Sequence, residues 1–229
     1  LLDIKNKKLE KISNKEGVYM MPKASRDGKK IAFIGHPSTD YSSVAHDVYI
    51  RDMTTGKNKL VTKNLSSSPK SLFWLSSSQL AFDLDERGSS KIMQLNTDNL
   101  RLSELISGFK EQFFLSSANQ GDLYGTYVTS NRPGEVASIK NTKLERLTEF
   151  NELVLGQYDL GKTHEVNYQA PDGTQIQGWY ITPPNFDESK TYPLILVIHG
   201  GPHAMYRPAF NYSWHQFASD GYVVLFTNP

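Results

Sequence analysis

The chain has 229 residues, enough for one large domain or two ordinary ones, and its hydrophobic fraction of 38%, with 11% aromatic residues, suffices to build a core. Its 25 basic and 24 acidic residues leave a formal charge of +1, so no basic field points to nucleic acid or an anionic membrane surface as a partner. There is no cysteine, which excludes disulfides and thiolate chemistry and favours a cytoplasmic setting. The longest apolar runs, about five residues, fall far short of the roughly 20 that span a bilayer.

Up to about Phe150 the chain is rich in Ser, Thr, Asn, Lys and Gly, helical periodicity is absent, and short apolar patches sit between turn signals. A pattern repeats. Lys30-Ile31-Ala32-Phe33 recurs as Gln79-Leu80-Ala81-Phe82, and Asp122-Leu123-Tyr124-Gly125 holds the equivalent place a third time. Each is followed by a further pair of predicted strands around a turn: Val48 and Ile50, then Leu60-Val61-Thr62; Met93 and Leu95, then Leu105-Ile106; Val136 and Ile139, then Leu147-Thr148. The spacing falls in the range of about 40 to 50 residues expected of propeller blades, and the pattern predicts about three of them in residues 1–155. A β-sandwich with evenly spaced strands is the alternative that the pattern leaves open.

Gly156 to Thr163 reads as the connector to a second region, residues 156–229. There His164 to Ala170 and Gln175 to Thr182 flank Pro171-Asp172-Gly173, a predicted hairpin. Tyr192-Pro193 then leads into Leu194-Ile195-Leu196-Val197-Ile198, an unbroken apolar run that predicts a parallel strand covered on both faces. Phe210, Trp214, Phe217 and Ala218 form one stripe of a helix stopping at Asp220-Gly221, and Tyr222 to Phe226 is a second buried strand. The unit is strand, crossover helix, strand. Parallel strands place their chemistry just past their carboxyl ends, so His199, Gly200 and Gly201 stand where a ligand approaches. Glycines there present bare backbone N–H groups, the donors that a developing oxyanion needs.

The strings His164-Glu165-Val166, Asp172-Gly173-Thr174, Gln177-Gly178-Trp179, Pro183-Pro184-Asn185-Phe186, His199-Gly200-Gly201-Pro202-His203-Ala204-Met205-Tyr206 and Thr227-Asn228-Pro229 come in an order that resembles the entry into the hydrolase domain of the prolyl oligopeptidase family, within it the acylaminoacyl peptidase and dipeptidyl peptidase branch. The likeness is dense over Gly161 to Pro229. It implies a partial β-propeller over 1–155 followed by the N-terminal part of an α/β-hydrolase domain over 156–229, with the catalytic C-terminal part and the earlier blades absent. The implied activity is that of a serine peptidase acting on oligopeptides by acyl transfer, without metal or organic cofactor, and a homo-oligomeric intact enzyme is left open. A non-catalytic propeller-containing binding module with a hydrolase remnant, or an esterase acting on small esters, are the alternatives.

One element of the family pattern is missing. No Gly-x-Ser-x-Gly elbow occurs in the sequence, so the Ser, Asp and His of the triad are expected beyond Pro229 and the chain alone is expected to be inactive. The active-site residues expected here are the backbone oxyanion donors, Gly201 first and Gly200 second, unless both glycines serve only the turn. His199 occupies the place where some relatives carry an oxyanion-donating tyrosine, and it and Tyr206 are candidates for substrate contact. His199 and His203 are four apart but span a Gly-Gly-Pro turn, which argues against a metal site. Arg207 reads as a solvated side chain beside a turn proline, and Trp179 and Trp214 as packing residues.

Overall fold

The computed structural model describes residues 1–13, 16–38, 44–63, 65–106, 111–201 and 204–228. A small hairpin, β1 (Leu2–Asp3) with β2 (Lys8–Leu9), precedes three successive four-stranded antiparallel sheets. The first holds β3 (Val18–Ala24), β4 (Lys30–His36), β5 (Asp47–Asp52) and β6 (Asn58–Leu60). The second holds β7 (Phe73–Trp74), β8 (Gln79–Glu86), β9 (Ser89–Asn96) and β10 (Leu102–Glu104), and the third β11 (Gln112–Asn119), β12 (Asp122–Thr129), β13 (Arg132–Lys140) and β14 (Lys143–Arg146). Strands pair in chain order, so each sheet is a meander.

The three recurring strings open β4, β8 and β12, the second strand of each meander. The apolar patches expected as fourth strands lie at their ends or just past them. Val61, Leu105 and Leu147 each follow the fourth strand and donate a backbone N–H to the third, at Val48 O (2.9 Å), Ile92 O (2.7 Å) and Val136 O (2.7 Å). The threonines that follow repeat the resemblance: Thr62 Oγ1 accepts from Val48 N and donates to Asp47, and Thr148 Oγ1 accepts from Val136 N and donates to Glu135. Each thus satisfies two polar groups at the point where the ladder ends.

The meanders stack face to face. Ala32, Ile34, Val48 and Ile50 of the first pack against Leu80, Phe82, Leu84 and Leu95 of the second. Ala81 and Ile92 turn to the other side, where they meet Phe113, Leu115, Leu123, Ala137 and Ile139 of the third. The period-2 alternation of strand side chains makes this possible, because a strand apolar at successive positions feeds both neighbours. First strands adjoin as well, with Trp74 Nε1 donating to Lys23 O at 2.9 Å.

After β14 a short helix, α1 (Glu152–Leu155), leads to β15 (Lys162–Gln169), so Lys162 and Thr163 belong to a strand rather than to the connector. β15 forms the predicted hairpin with β16 (Gln175–Thr182), in register His164↔Tyr180. Gly173 takes the left-handed φ of +91° that its tight turn needs. The crossover β17 (Leu194–Val197), α2 (Tyr212–Ser219), β18 (Val223–Asn228) follows, and the sheet order is β15-β16-β18-β17 with β17 and β18 parallel. Asn211 caps α2 by accepting from Trp214 N. The helix buries Ala218 and packs Trp214 on the core as expected, while Phe217 faces outward, Phe210 precedes the helix and His215 turns inward. Trp179, Ile181, Val224, Phe226 and Ala218 form the core beneath it. β17 departs from expectation too. It is the edge strand, and Leu194, Leu196 and Ile198 on one face stay exposed, Ile198 at 80%.

Candidate functional site

β17 ends at Val197 and the chain runs through His199, Gly200 and Gly201, all reachable from solvent. Gly201 has a φ of +72°, whereas Gly200 is not in the left-handed region, so the turn demands glycine at the first of these positions only. A Cβ at either residue would meet open space, leaving the backbone bare on its outer side. Gly201 O accepts from Ala204 N at 2.9 Å, which closes the turn. Pro202 and His203 lie outside the described residues. Among the described residues, no group of three or more His, Cys, Asp or Glu side chains gathers as metal ligands.

His199 and Tyr206 come together across this turn, ring centroids 4.9 Å apart at an interplanar angle of 76°. The His199 ring also lies beside the Gly200 carbonyl, with Nδ1 at 3.4 Å. Tyr206 sets its ring edge-on to Trp214 and Phe226, and burial raises its phenol above the usual range. Its backbone is clasped by the last residue of β18: Asn228 Oδ1 accepts from Tyr206 N at 2.7 Å and Nδ2 donates to Tyr206 O at 3.0 Å. Two aromatic residues and the glycine turn therefore share one corner at the carboxyl end of the parallel pair. Trp179 and Trp214 are packing residues, as expected.

Arg207 is not a solvated side chain. Its Nη2 meets Asp85 Oδ2 at 2.8 Å, and its Nη1 lies 3.4 Å from Asp85 Oδ1 and 3.2 Å from Gln112 Oε1. Gly88, at the tip of the β8–β9 hairpin, donates its N–H to Met205 Sδ at 3.4 Å and has the Trp179 indole so close that a Cβ would come within 2.4 Å of it. Further along, His215 Nε2 donates to Ser130 O at 2.8 Å. The segment behind the glycine turn is thus seated on the second and third meanders. Asp83, next to this contact, has its carboxyl pushed up by burial, against the opposing pull of Ser71 and Lys70. Asp85, Gly88 and Gln112 are contributors that no local sequence pattern signals, whereas Asn228 lies in the Thr-Asn-Pro string that carries the resemblance.

No family model matches the chain. A probable dipeptidyl-peptidase 5 of Emericella nidulans is 28% identical over 228 residues, covering 93% of this chain and 31% of the relative. The structure of an acylaminoacyl peptidase of Pyrococcus horikoshii is similar at a TM-score of 0.76 and 27% identity, over 89% of this chain and 31% of that one. An acylaminoacyl peptidase in complex with Z-Gly-Gly-Phe-chloromethyl ketone matches at a TM-score of 0.77, also with 27% identity and over the same shares. The chain spans about a third of the length of these relatives.

Proposed function

We propose that this chain, a relative of the acylaminoacyl and dipeptidyl peptidases of the prolyl oligopeptidase family, is part of a serine-type peptidase that hydrolyses short peptides by acyl transfer. In this reading residues 1–155 are blades of a β-propeller, residues 156–229 open an α/β-hydrolase domain, and the nucleophile, acid and base follow Pro229. Three stacked four-stranded meanders and a strand–helix–strand crossover with parallel strands support the first two statements. The observation that carries the reading is the exposed glycine turn at the carboxyl end of β17, with Gly201 at a φ of +72°. A peptide-like chloromethyl ketone in one related structure supports an oligopeptide as the substrate. A cytoplasmic setting and a homo-oligomeric intact enzyme belong to the same proposal.

A serine attacks the scissile carbonyl, and the negative charge that develops on its oxygen needs donors already in place. The Gly201 N–H is the first candidate and the Gly200 N–H the second. His199 and Tyr206, packed on each other beside the turn, are the candidates for substrate contact.

The intact gene product, treated with a fluorophosphonate and with chromogenic acylaminoacyl and dipeptidyl substrates, tests this. One serine outside residues 1–229 is expected to label stoichiometrically, with hydrolysis of at least one substrate; no labelling, or labelling of a serine within residues 1–229, overturns the reading. Gly201→Val forces a β-branched residue into a left-handed φ and should cost on the order of a hundredfold in turnover. Near-normal turnover in that variant would remove the turn from the active site.

A further inference from the structure

Three consecutive residues behind the glycine turn are each fixed by a different part of the molecule. Met205 accepts from Gly88 on the β8–β9 hairpin, Tyr206 is clasped by Asn228 at the end of β18, and Arg207 forks onto Asp85 of β8 and Gln112 of β11. Among the described residues, Ala204 links this segment back to the turn through its N–H to Gly201 O, and Tyr206 does so through its ring against His199. The Tyr206 clasp lies within the mixed sheet itself. The other two fastenings reach across to residues some 95 to 122 positions earlier in the chain.

The Arg207 contact is the strongest of the three on chemical grounds. Its two nitrogens address one carboxylate and one amide oxygen, a planar fork that lysine cannot reproduce. The Asp85 side chain is 14% exposed and that of Arg207 23%, and Gln112 is fully buried. Gln112 is itself locked, with Nε2 donating to Gly88 O at 2.7 Å and Oε1 also accepting from Ser90 Oγ. Gly88 is therefore held by the residue that receives Arg207 and in turn holds Met205. Lys70, just before β7, also pairs with Asp85, so the carboxylate keeps a partner when Arg207 is removed. The guanidinium is the part that carries the connection over to the turn.

We infer that Arg207 is a positioning residue for the Gly201 turn: docked on Asp85 and Gln112, it sets the orientation of the Gly201 peptide from the stacked meanders. The inference rests on the proposed peptidase reading for its catalytic consequence but not for its structural one. In that reading the oxyanion donor is aligned by the part of the chain that carries no chemistry. A loop seated in this way loses turnover before it loses substrate affinity when the seat is removed, because a misplaced donor fails mainly in the transition state.

Arg207→Met, Arg207→Lys and Asp85→Asn in the intact gene product provide the test, read by steady-state kinetics and by amide hydrogen exchange of the peptide spanning residues 198–206. Arg207→Met is expected to lower kcat by on the order of ten- to a hundredfold with KM changed by less than about threefold. Arg207→Lys should recover part of the loss and Asp85→Asn should reproduce it. Exchange in the 198–206 peptide should quicken severalfold in Arg207→Met and remain unchanged in distant strands such as β4. A kcat within about twofold of the unmodified enzyme, or unaltered exchange of that peptide, overturns the inference. If the unmodified protein takes no fluorophosphonate label and hydrolyses nothing, the peptidase reading fails instead, and exchange alone then decides the anchor: quickened exchange upholds it and unchanged exchange overturns it.

Discussion

In the stacked meanders a strand such as β8 is apolar at successive positions and is buried on both faces, Leu80, Phe82 and Leu84 toward the first sheet and Ala81 toward the third. In the mixed sheet β17 is equally apolar, but only Ile195 and Val197 turn toward the helix side, and Leu194, Leu196 and Ile198 face solvent. The two strands share a sequence signature and differ in how their cover arrives. A meander is covered by the next meander, and β8 has one on either side. A parallel sheet is covered by its crossovers, one per face, and α2 is the crossover that the described residues supply. An unbroken apolar run thus states that two faces were meant to be covered. It does not state that this chain brings both covers.

If the meander core is the complete one, its residues should respond to truncation far more strongly than those of β17. Phe82 is fully buried between the first two sheets, and Phe82→Ala is expected to destabilise by about 3–5 kcal/mol, measured by denaturant unfolding of the chain. A loss below about 1 kcal/mol would mean that the stack is loosely packed and that the contrast is false.

The joint between the two regions sharpens the comparison, because one buried carboxylate holds it. Glu135 on β13 accepts from Thr148 Oγ1 at 2.5 Å, from Phe150 N and Asn151 N at 3.1 Å, and from Asn151 Nδ2 at 3.0 Å, so it secures the residues that lead into α1. Burial alone raises this carboxyl, but the hydrogen bonds from Thr148, Asn151 and Phe150 outweigh it and hold it at about 2. Glu135→Ala leaves those donors without an acceptor and should cost on the order of 2–3 kcal/mol. The pH dependence has a definite sign. A carboxylate whose folded value lies below its ordinary 4.5 contributes stability in full above that pH, and the contribution disappears as pH falls toward 2. The difference in unfolding midpoint between the wild type and Glu135→Gln should therefore shrink steadily on acidification through that window. A difference that is constant over it would place the stabilisation elsewhere.

What could be read in the sequence, and what could not, follows the same division. The second, third and fourth strands of each meander were visible because Ile31-Ala32-Phe33, Leu80-Ala81-Phe82 and the turns after Asp52, Thr97 and Asn141 repeat locally. The first strands were not. β3 contains Pro22 and a break in register between Met20 and Lys23, and β7 has two residues, so neither carries a usable period. In α2 the expected stripe gave Phe217 to the core, whereas the helix turns His215 inward because Ser130, at the tip of a distant hairpin, offers its carbonyl. The glycine turn was legible from His199-Gly200-Gly201 alone. Its seat was not, since Asp85, Gly88 and Gln112 come to Met205 and Arg207 only through the stacking of sheets, and no local pattern encodes that.

The smallest expected effect is the one that separates the two strands most directly. Leu196 is 53% exposed on the open face of β17, opposite Leu225 in the register with β18. Replacing it by Thr introduces a β-branched residue suited to a strand and removes little that is buried, so unfolding stability should change by no more than about 0.5 kcal/mol. Self-association should fall at the same time, because the edge strand then presents less apolar surface beside its free backbone groups. Sedimentation velocity over a concentration series, paired with denaturant unfolding, reads both quantities. If Leu196→Thr costs as much as a core truncation, that face is covered in solution and the contrast with β8 does not hold. If stability is kept and association drops, the open face of β17 is the sticky surface of this chain, and the cover that its apolar run calls for is one the remaining crossovers of the proposed hydrolase domain would bring.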